Sequence, residues 1–395
     1  MRHSFPILEF GMGQGQFHEQ YFEKMPFLKR QAFNSSGFGW QTIDTALAHQ
    51  DLGLEMLKVI KNGRVERSEY VEEFVDIGVR RRRIIKERFY ELIRSGATVV
   101  LNRMELSSEA IRDICMQVGR LVGSQTAANA YASIGGEAAL HVHWDTHDVF
   151  AVQLAGKKRW QLYRPTFPLP ISSQESNEHK RDVPETPYLE TILEAGDVMY
   201  VPRGWWHRVE PIENTETIHL AVGVHTPLML DYLIWACGNL LPKHLEMRHS
   251  LLGREKDSEL VSDALSLMSQ LLNNQESLSL FRNRSRMRER TVTPFQINKL
   301  IRNGDVSWSS EDIVRLNSRV LESECEAVYI NGSKIIFNTK DNKTENEIIK
   351  AISSKIQITV RELKEIFSDA SETESVLKRL ALADIVQIVP SHSHD

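Results

Sequence analysis

At 395 residues, 41% hydrophobic and 26% charged, the chain has material for two or three globular units with buried cores. A net charge of −5 argues against a general nucleic-acid binder, which carries a basic surplus. No apolar run suggests a secretory signal or a membrane span, and three scattered cysteines (Cys115, Cys237, Cys325) fit a reducing, cytoplasmic setting.

Residues 1–96 read as a mixed N-terminal segment that packs on the next unit of the chain. Within it, "FHEQYFEKMPFLKR" suggests a short helix broken before Pro26, because proline disfavours helix in the residue before it. "RRRRIIKERFYELIRSG" reads as a helix with Ile84, Ile85, Phe89, Leu92 and Ile93 on one face and Gly96 as its stop. The run Arg80–Arg83 would be the solvated side of that helix. From 97 to 226 the character changes. "ATVVLN" is a strand, and "SSEAIRDICMQVGRLVG" is a helix capped by Ser107 or Ser108. Short strands punctuated by glycine and proline come next: "AANAYAS", "ALHVHWDTHD", "VFAVQLAG", "KRWQLYRP", "DVMYVPRG", "WHRVEP" and "TIHLAVGV". They predict a sandwich or jelly roll. "PISSQESNEHKRDVPETP" predicts a mobile surface insertion.

Residues 227–290 return to helical periodicity, with an apolar stripe at Leu260, Ala264, Leu267, Met268 and Leu271 suited to a core or an oligomer contact. Residues 291–395 read as a separate small α+β unit, with a hairpin across Asn331-Gly332 and three helices before a last strand, "IVQIVP". That order resembles a winged helix. With ten acids against seven bases in residues 341–395, protein contact is a better expectation than DNA binding.

Chemistry concentrates in "HVHWDTHDVF". In a strand, residues two apart share a face, so His141, His143, Asp145 and His147 would point one way and Trp144 and Asp148 the other. His207, after the tight turn of "VPRGWWH", can add a ligand from a neighbouring strand. His-x-Asp plus a distant His is the 2-His-1-carboxylate pattern, which suits Fe(II) and leaves three positions open. A second register competes. Gly135, His141, His143, Asp148 and Gly156 resemble the first general cupin motif, with Asp148 for its usual Glu, and Gly196 to His207 matches most of the second. Both registers use His143 and His207; they differ over His141, Asp145 and Asp148.

The neighbouring residues resemble the Jumonji-C type cupins, and within them the ribosomal-oxygenase-like branch. The resemblance rests on His143, Asp145, Asp148, Phe150, Gln153, Gly156, Lys158 and Trp160, on Asn129 and Tyr131 in "ANAYAS", and on "GDVMYVPRGWWH". It implies an α+β chain with a double-stranded β-helix core at 97–226, flanking helices and a winged-helix-like end. It implies His143, Asp145 and His207 as metal ligands, with Fe(II), 2-oxoglutarate and O2. Lys158 would neutralise the far carboxylate of 2-oxoglutarate, with Asn129, Tyr131 and Trp160 lining its pocket, and no catalytic group is needed beyond the metal centre. The expected activity is hydroxylation of a residue in a protein or peptide, including ribosomal proteins, by a homodimer built through 227–290. The alternatives are an oxygenase acting on a small molecule or precursor peptide, or a cupin that does not use 2-oxoglutarate. His141 and Gly223 depart from the family pattern, Gly223 standing where some relatives carry a hydroxyl residue. Trp205 and Trp206 are candidates for a substrate wall.

Overall fold

The structure is a computed structural model, and it describes residues 6–49, 55–135, 141–212, 215–253, 255, 257–289, 291–297, 308–318, 327–336, 343–355, 357–367 and 369–390. The chain divides into two compact units, 1–225 and 226–395.

The first unit runs α1 (Gln14–Gln20), β1 (Phe27–Lys29), α2 (Trp40–His49), β2 (Leu57–Ile60), β3 (Val71–Asp76), β4 (Val79–Ile84), α3 (Lys86–Arg94), β5 (Thr98–Leu101) and α4 (Glu109–Val122). It continues with β6 (Gln125–Ile134), β7 (Asp148–Ala155), β8 (Lys157–Tyr163), β9 (Leu189–Glu194), β10 (Val198–Val201), β11 (Trp206–Pro211) and β12 (Glu216–His225). A seven-stranded sheet has the order β1-β10-β7-β12-β6-β5-β2, and a three-stranded sheet has the order β11-β8-β9. The N-terminal segment therefore supplies both edge strands of the large sheet, β1 and β2.

Side chains on β7 show how the layers form, because successive residues point to opposite faces. Phe150, Val152 and Leu154 enter the main core, with Ile111, Ile114 and Val118 of α4. Ala151 enters a second cluster with Trp160, Leu162, Leu193, Met199 and Trp205, between the two sheets. Both faces of β7 are thus covered, as its run of apolar residues requires. Helix α4 starts where the Ser108 hydroxyl accepts the Ile111 N–H (3.4 Å), and it presents Ile111, Ile114, Cys115, Val118 and Leu121 inward. Between β7 and β8 the chain turns at Gly156, at φ +64°. A Cβ there would lie 1.7 Å from the Glu216 carbonyl oxygen, so glycine is required.

Two sequence expectations are corrected here. Arg80–Arg83 lie in strand β4, and the helix begins only at Lys86. The acids of β3 explain the difference. Glu72 and Glu73 sit directly opposite Arg83 and Arg82, pairing at 2.5 and 2.7 Å, and Asp76 pairs with Arg81 at 2.9 Å. Cross-strand charge pairs and a turn at Ile77-Gly78 override the helical spacing of the isoleucines. Residues 141–147 are not a strand either. Their only ladder contact among the described residues is an isolated bridge from His143 to His207. The insertion after Pro170 contains a 3-10 turn (Ser176–Asp182), and His179 within it packs on Trp144 and Phe167.

The second unit holds α5 (Met229–Asn239), α6 (Asp257–Leu272), α7 (Gln275–Arg288), β13 (Ile313–Leu316), β14 (Ala327–Ile330), β15 (Ser333–Ile336), α8 (Lys343–Ser354), β16 (Ile358–Thr359), α9 (Val360–Ile366), α10 (Ala370–Leu382) and β17 (Val386–Val389). The expected hairpin forms across Asn331 (φ +48°) and Gly332 (φ +89°), both left-handed as a two-residue turn of this kind demands. β13 pairs with β16 and β17, and α8, α9 and α10 pack on this sheet through Ile348, Leu363, Leu377 and Leu380. No helix among the described residues is long and apolar enough to cross a membrane.

Candidate metal centre

His143, Asp145 and His207 converge so that one ligand atom of each lies within 4.8 Å of the others. His143 and His207 are brought together by reciprocal backbone hydrogen bonds, His143 N–H to His207 O (3.1 Å) and His207 N–H to His143 O (2.8 Å). Asp145 is placed by its own carbonyl, which accepts the Gly204 N–H at 3.0 Å.

The two rings are oriented in the same way. His143 Nδ1–H donates to the His141 carbonyl (2.8 Å), and His207 Nδ1–H donates to the Trp205 carbonyl (3.1 Å). A carbonyl can only accept, so Nδ1 carries a hydrogen in each ring and Nε2 is the nitrogen left to face Asp145. His207 Nε2 lies 3.5 Å from Asp145 Oδ2, and His143 Nε2 lies 4.0 Å from Asp145 Oδ1. Metal-ligating histidines are commonly held by such bonds from the other ring nitrogen. Burial opposes charge on His207 and, with His143 nearby, pushes its imidazole down to about 4. Burial works against the charged form of Asp145, but His207 and His143 outweigh it and hold the carboxyl below its usual range. Two imidazole nitrogens and one carboxylate form an open donor set suited to a divalent first-row metal.

Beneath this group is a cavity of about 110 Å³, lined by side chains that include Tyr131, Lys158, Trp160, Val209, His219 and Ala221. Lys158 is 3% exposed, and among the described residues it has no ion pair. Burial alone pushes its ammonium down to about 7. Trp160 Nε1 and His219 Nδ1 are also buried there without a hydrogen-bond partner among the described residues. Burial pushes the Tyr131 phenol up to about 12, so it remains a donor at neutral pH. A buried cation with nearby N–H and O–H donors fits an anion. A larger open groove of about 630 Å³ runs past Arg30, Arg159 and Asp197, but Arg30 is bonded to Asp197 (2.6 Å) and Arg159 lies 3.9 Å from Glu190.

The remaining sequence candidates sort by contact. Asp148 belongs to a different network: its Oδ1 accepts the Tyr200 hydroxyl and the Arg203 N–H, each at 3.0 Å. His141 is exposed and acts on the group through its carbonyl. Asn129 does not line the cavity; its amide oxygen accepts the Arg103 N–H at 3.2 Å. His147 stacks on His225 (5.4 Å) and fills the space above Gly223, where a Cβ would come within 2.8 Å of its ring. Trp205 and Trp206 are both buried, Trp205 in the inter-sheet cluster and Trp206 bonded to Thr166 Oγ1 (2.9 Å), so neither forms a substrate wall. His219 was not singled out from sequence. Its signal was available: a histidine at an inward position of the apolar strand "TIHLAVGV".

Comparison with known proteins agrees with this geometry. Residues 100–232 match the JmjC domain family. This stretch is similar to a JmjC domain. It carries the metal group and the cavity together. Among relatives, ribosomal oxygenase 2 of Rattus norvegicus is 38% identical over 104 residues, covering 26% of this chain and 22% of that protein. The bifunctional lysine-specific demethylase and histidyl-hydroxylase NO66 of Dictyostelium discoideum is 27% identical over 237 residues, covering 58% of this chain and 44% of that protein. The chain thus spans less than half the length of these relatives. The fold is shared with the ribosomal oxygenase YcfD of Escherichia coli, solved with cobalt and succinic acid, at a TM-score of 0.59 and 16% identity. That match covers 97% of this chain and 99% of that one.

Proposed function

We propose that the protein is an Fe(II)/2-oxoglutarate-dependent oxygenase that hydroxylates an amino-acid residue of a protein or peptide. The observation that carries this reading is Lys158, a buried ammonium without a counter-charge among the described residues, in a cavity that also takes in the His143, Asp145 and His207 group. The metal would be held by His143 Nε2, Asp145 and His207 Nε2, and with 2-oxoglutarate and O2 it would supply the oxidising chemistry. Lys158 takes the far carboxylate of 2-oxoglutarate, and Tyr131 and Trp160 donate to the bound acid from the walls. The cavity walls orient that acid. No acid–base or nucleophilic side chain is required. The relatives' names, ribosomal oxygenase and histidyl-hydroxylase, favour a protein substrate, including a ribosomal one.

Helices α5 and α6 expose Met229 (71%), Ile234 (63%) and Leu265 (55%), which supports homodimer formation through residues 227–290. The unit from 291 onward is read as winged-helix-like and as a protein contact, given its acidic balance. The setting is cytoplasmic.

The test has two parts. Purified protein with Fe(II), 2-oxoglutarate and air should form succinate. Peptide masses from cells with and without the gene should differ by one added oxygen on a specific residue. Absence of succinate would favour a cupin that does not use 2-oxoglutarate. Succinate with the oxygen found on a metabolite instead of a protein would favour the small-molecule reading.

A further inference from the structure

We infer that His219 is a positioning residue of this pocket, a second anchor that hydrogen-bonds the far carboxylate of the bound acid alongside Lys158. The inference rests on the 2-oxoglutarate reading and adds a residue to it.

His219 is 5% exposed and lies on β12 directly opposite Tyr131 on β6. Its ring stacks on Tyr131 (centroids 5.0 Å, 16° between planes) and meets Trp160 edge-on at 5.7 Å. These contacts fix the ring plane on two sides. With Ala221, two residues on, it lines the same cavity as Lys158. Burying an imidazole there without using its nitrogens is costly, and a same-sized apolar ring would pack as well. Yet Nδ1 has no partner among the described residues. The cavity is the place where an acceptor can sit. Around its far end the cavity offers donors in the Lys158 ammonium, Trp160 Nε1 and the Tyr131 hydroxyl, while the Asp145 carboxylate belongs to the metal group. A carboxylate has about four lone-pair sites and can accept from several of these at once. With Nδ1 protonated, His219 gives the carboxylate a neutral, rigid donor, while Lys158 gives it the charge. The pair favours a two-acid ligand over a 2-oxo acid that ends in a methyl group.

The experiment measures Mn(II)-dependent binding of 2-oxoglutarate, and of 2-oxobutyrate, by calorimetry without turnover. His219→Phe keeps the stacking ring and removes Nδ1. It should weaken 2-oxoglutarate about tenfold, the order expected for one hydrogen bond to a charged group. It should leave Mn(II) affinity and 2-oxobutyrate binding unchanged. His219→Asn places an amide nitrogen near the position of Nδ1 and should restore most of the loss. Unchanged 2-oxoglutarate binding in His219→Phe overturns the inference while the proposed function stands. An equal loss of both acids, unrescued by asparagine, also overturns it, since His219 would then only shape the fold. If the unaltered protein binds Mn(II) but neither acid, the co-substrate reading itself fails and takes this inference with it.

Discussion

Main-chain carbonyls, not side chains, orient both histidines of the metal group, so the site depends on few exchangeable residues. Among the described residues, Asp145 is the carboxylate grouped with them. Asp145→Ala should abolish tight Mn(II) binding, read by titration. Asp148→Ala should leave metal binding intact but lower thermal stability by about 2 kcal/mol or more, because it strands the Tyr200 hydroxyl and the Arg203 N–H. The opposite pattern would restore the competing cupin register. Lys158 carries a pH signature. Its folded value, about 7, is below the roughly 10.4 of an unfolded lysine, so the unfolded chain binds more protons between these values. Ligand-free stability should therefore rise with pH from about 7 to 10 relative to Lys158→Met, as melting curves across that range would reveal. Below about pH 7 the full cost of burying the charge remains.

Elements with local sequence signals were legible: the Ser108-capped helix, the Asn331-Gly332 hairpin and the apolar strands β6, β7, β8, β10 and β12. Elements set by partners far along the chain were not. Strand β4 is defined by acids on β3, and β9 by pairing with β8, neither of which helical or strand periodicity can report. The His143, Asp145 and His207 group was legible through the resemblance. Residues 141–147 are irregular where a strand was expected, and His147 departs toward His225. His219 went unnoticed because burial without a partner is a property of the folded surroundings. Glycines separate the two kinds of information further. Gly156→Ala should cost about 3 kcal/mol or more through its clash and left-handed backbone. Gly238→Ala, in α5 with open space around it, should stabilise by about 0.5–1 kcal/mol. Paired denaturation curves distinguish these outcomes.

At the level of the whole molecule, α5 and α6 expose apolar faces among the described residues. Met229, Leu230, Ile234, Val261 and Leu265 are all more than 40% exposed. The stripe at Leu260, Ala264, Leu267, Met268 and Leu271 is half-buried and is the inward side of α6, so the outward residues are the ones available to a second copy. Ile234→Glu should convert a dimer to a monomer by light scattering while leaving metal binding unchanged. A protein that is already monomeric before substitution would remove the dimer proposal.

The bare spot that Gly223 leaves on β12 also bears on how this site can diverge. His147 occupies it, and a methyl group at 223 would overlap the imidazole. The two positions therefore behave as a lock and its wedge. A side chain at 223 requires the His147 ring to swing aside or residue 147 to become smaller. Lineages that carry a side chain at 223 should lack a bulky residue at 147, and grafting one position without the other should jam the pocket.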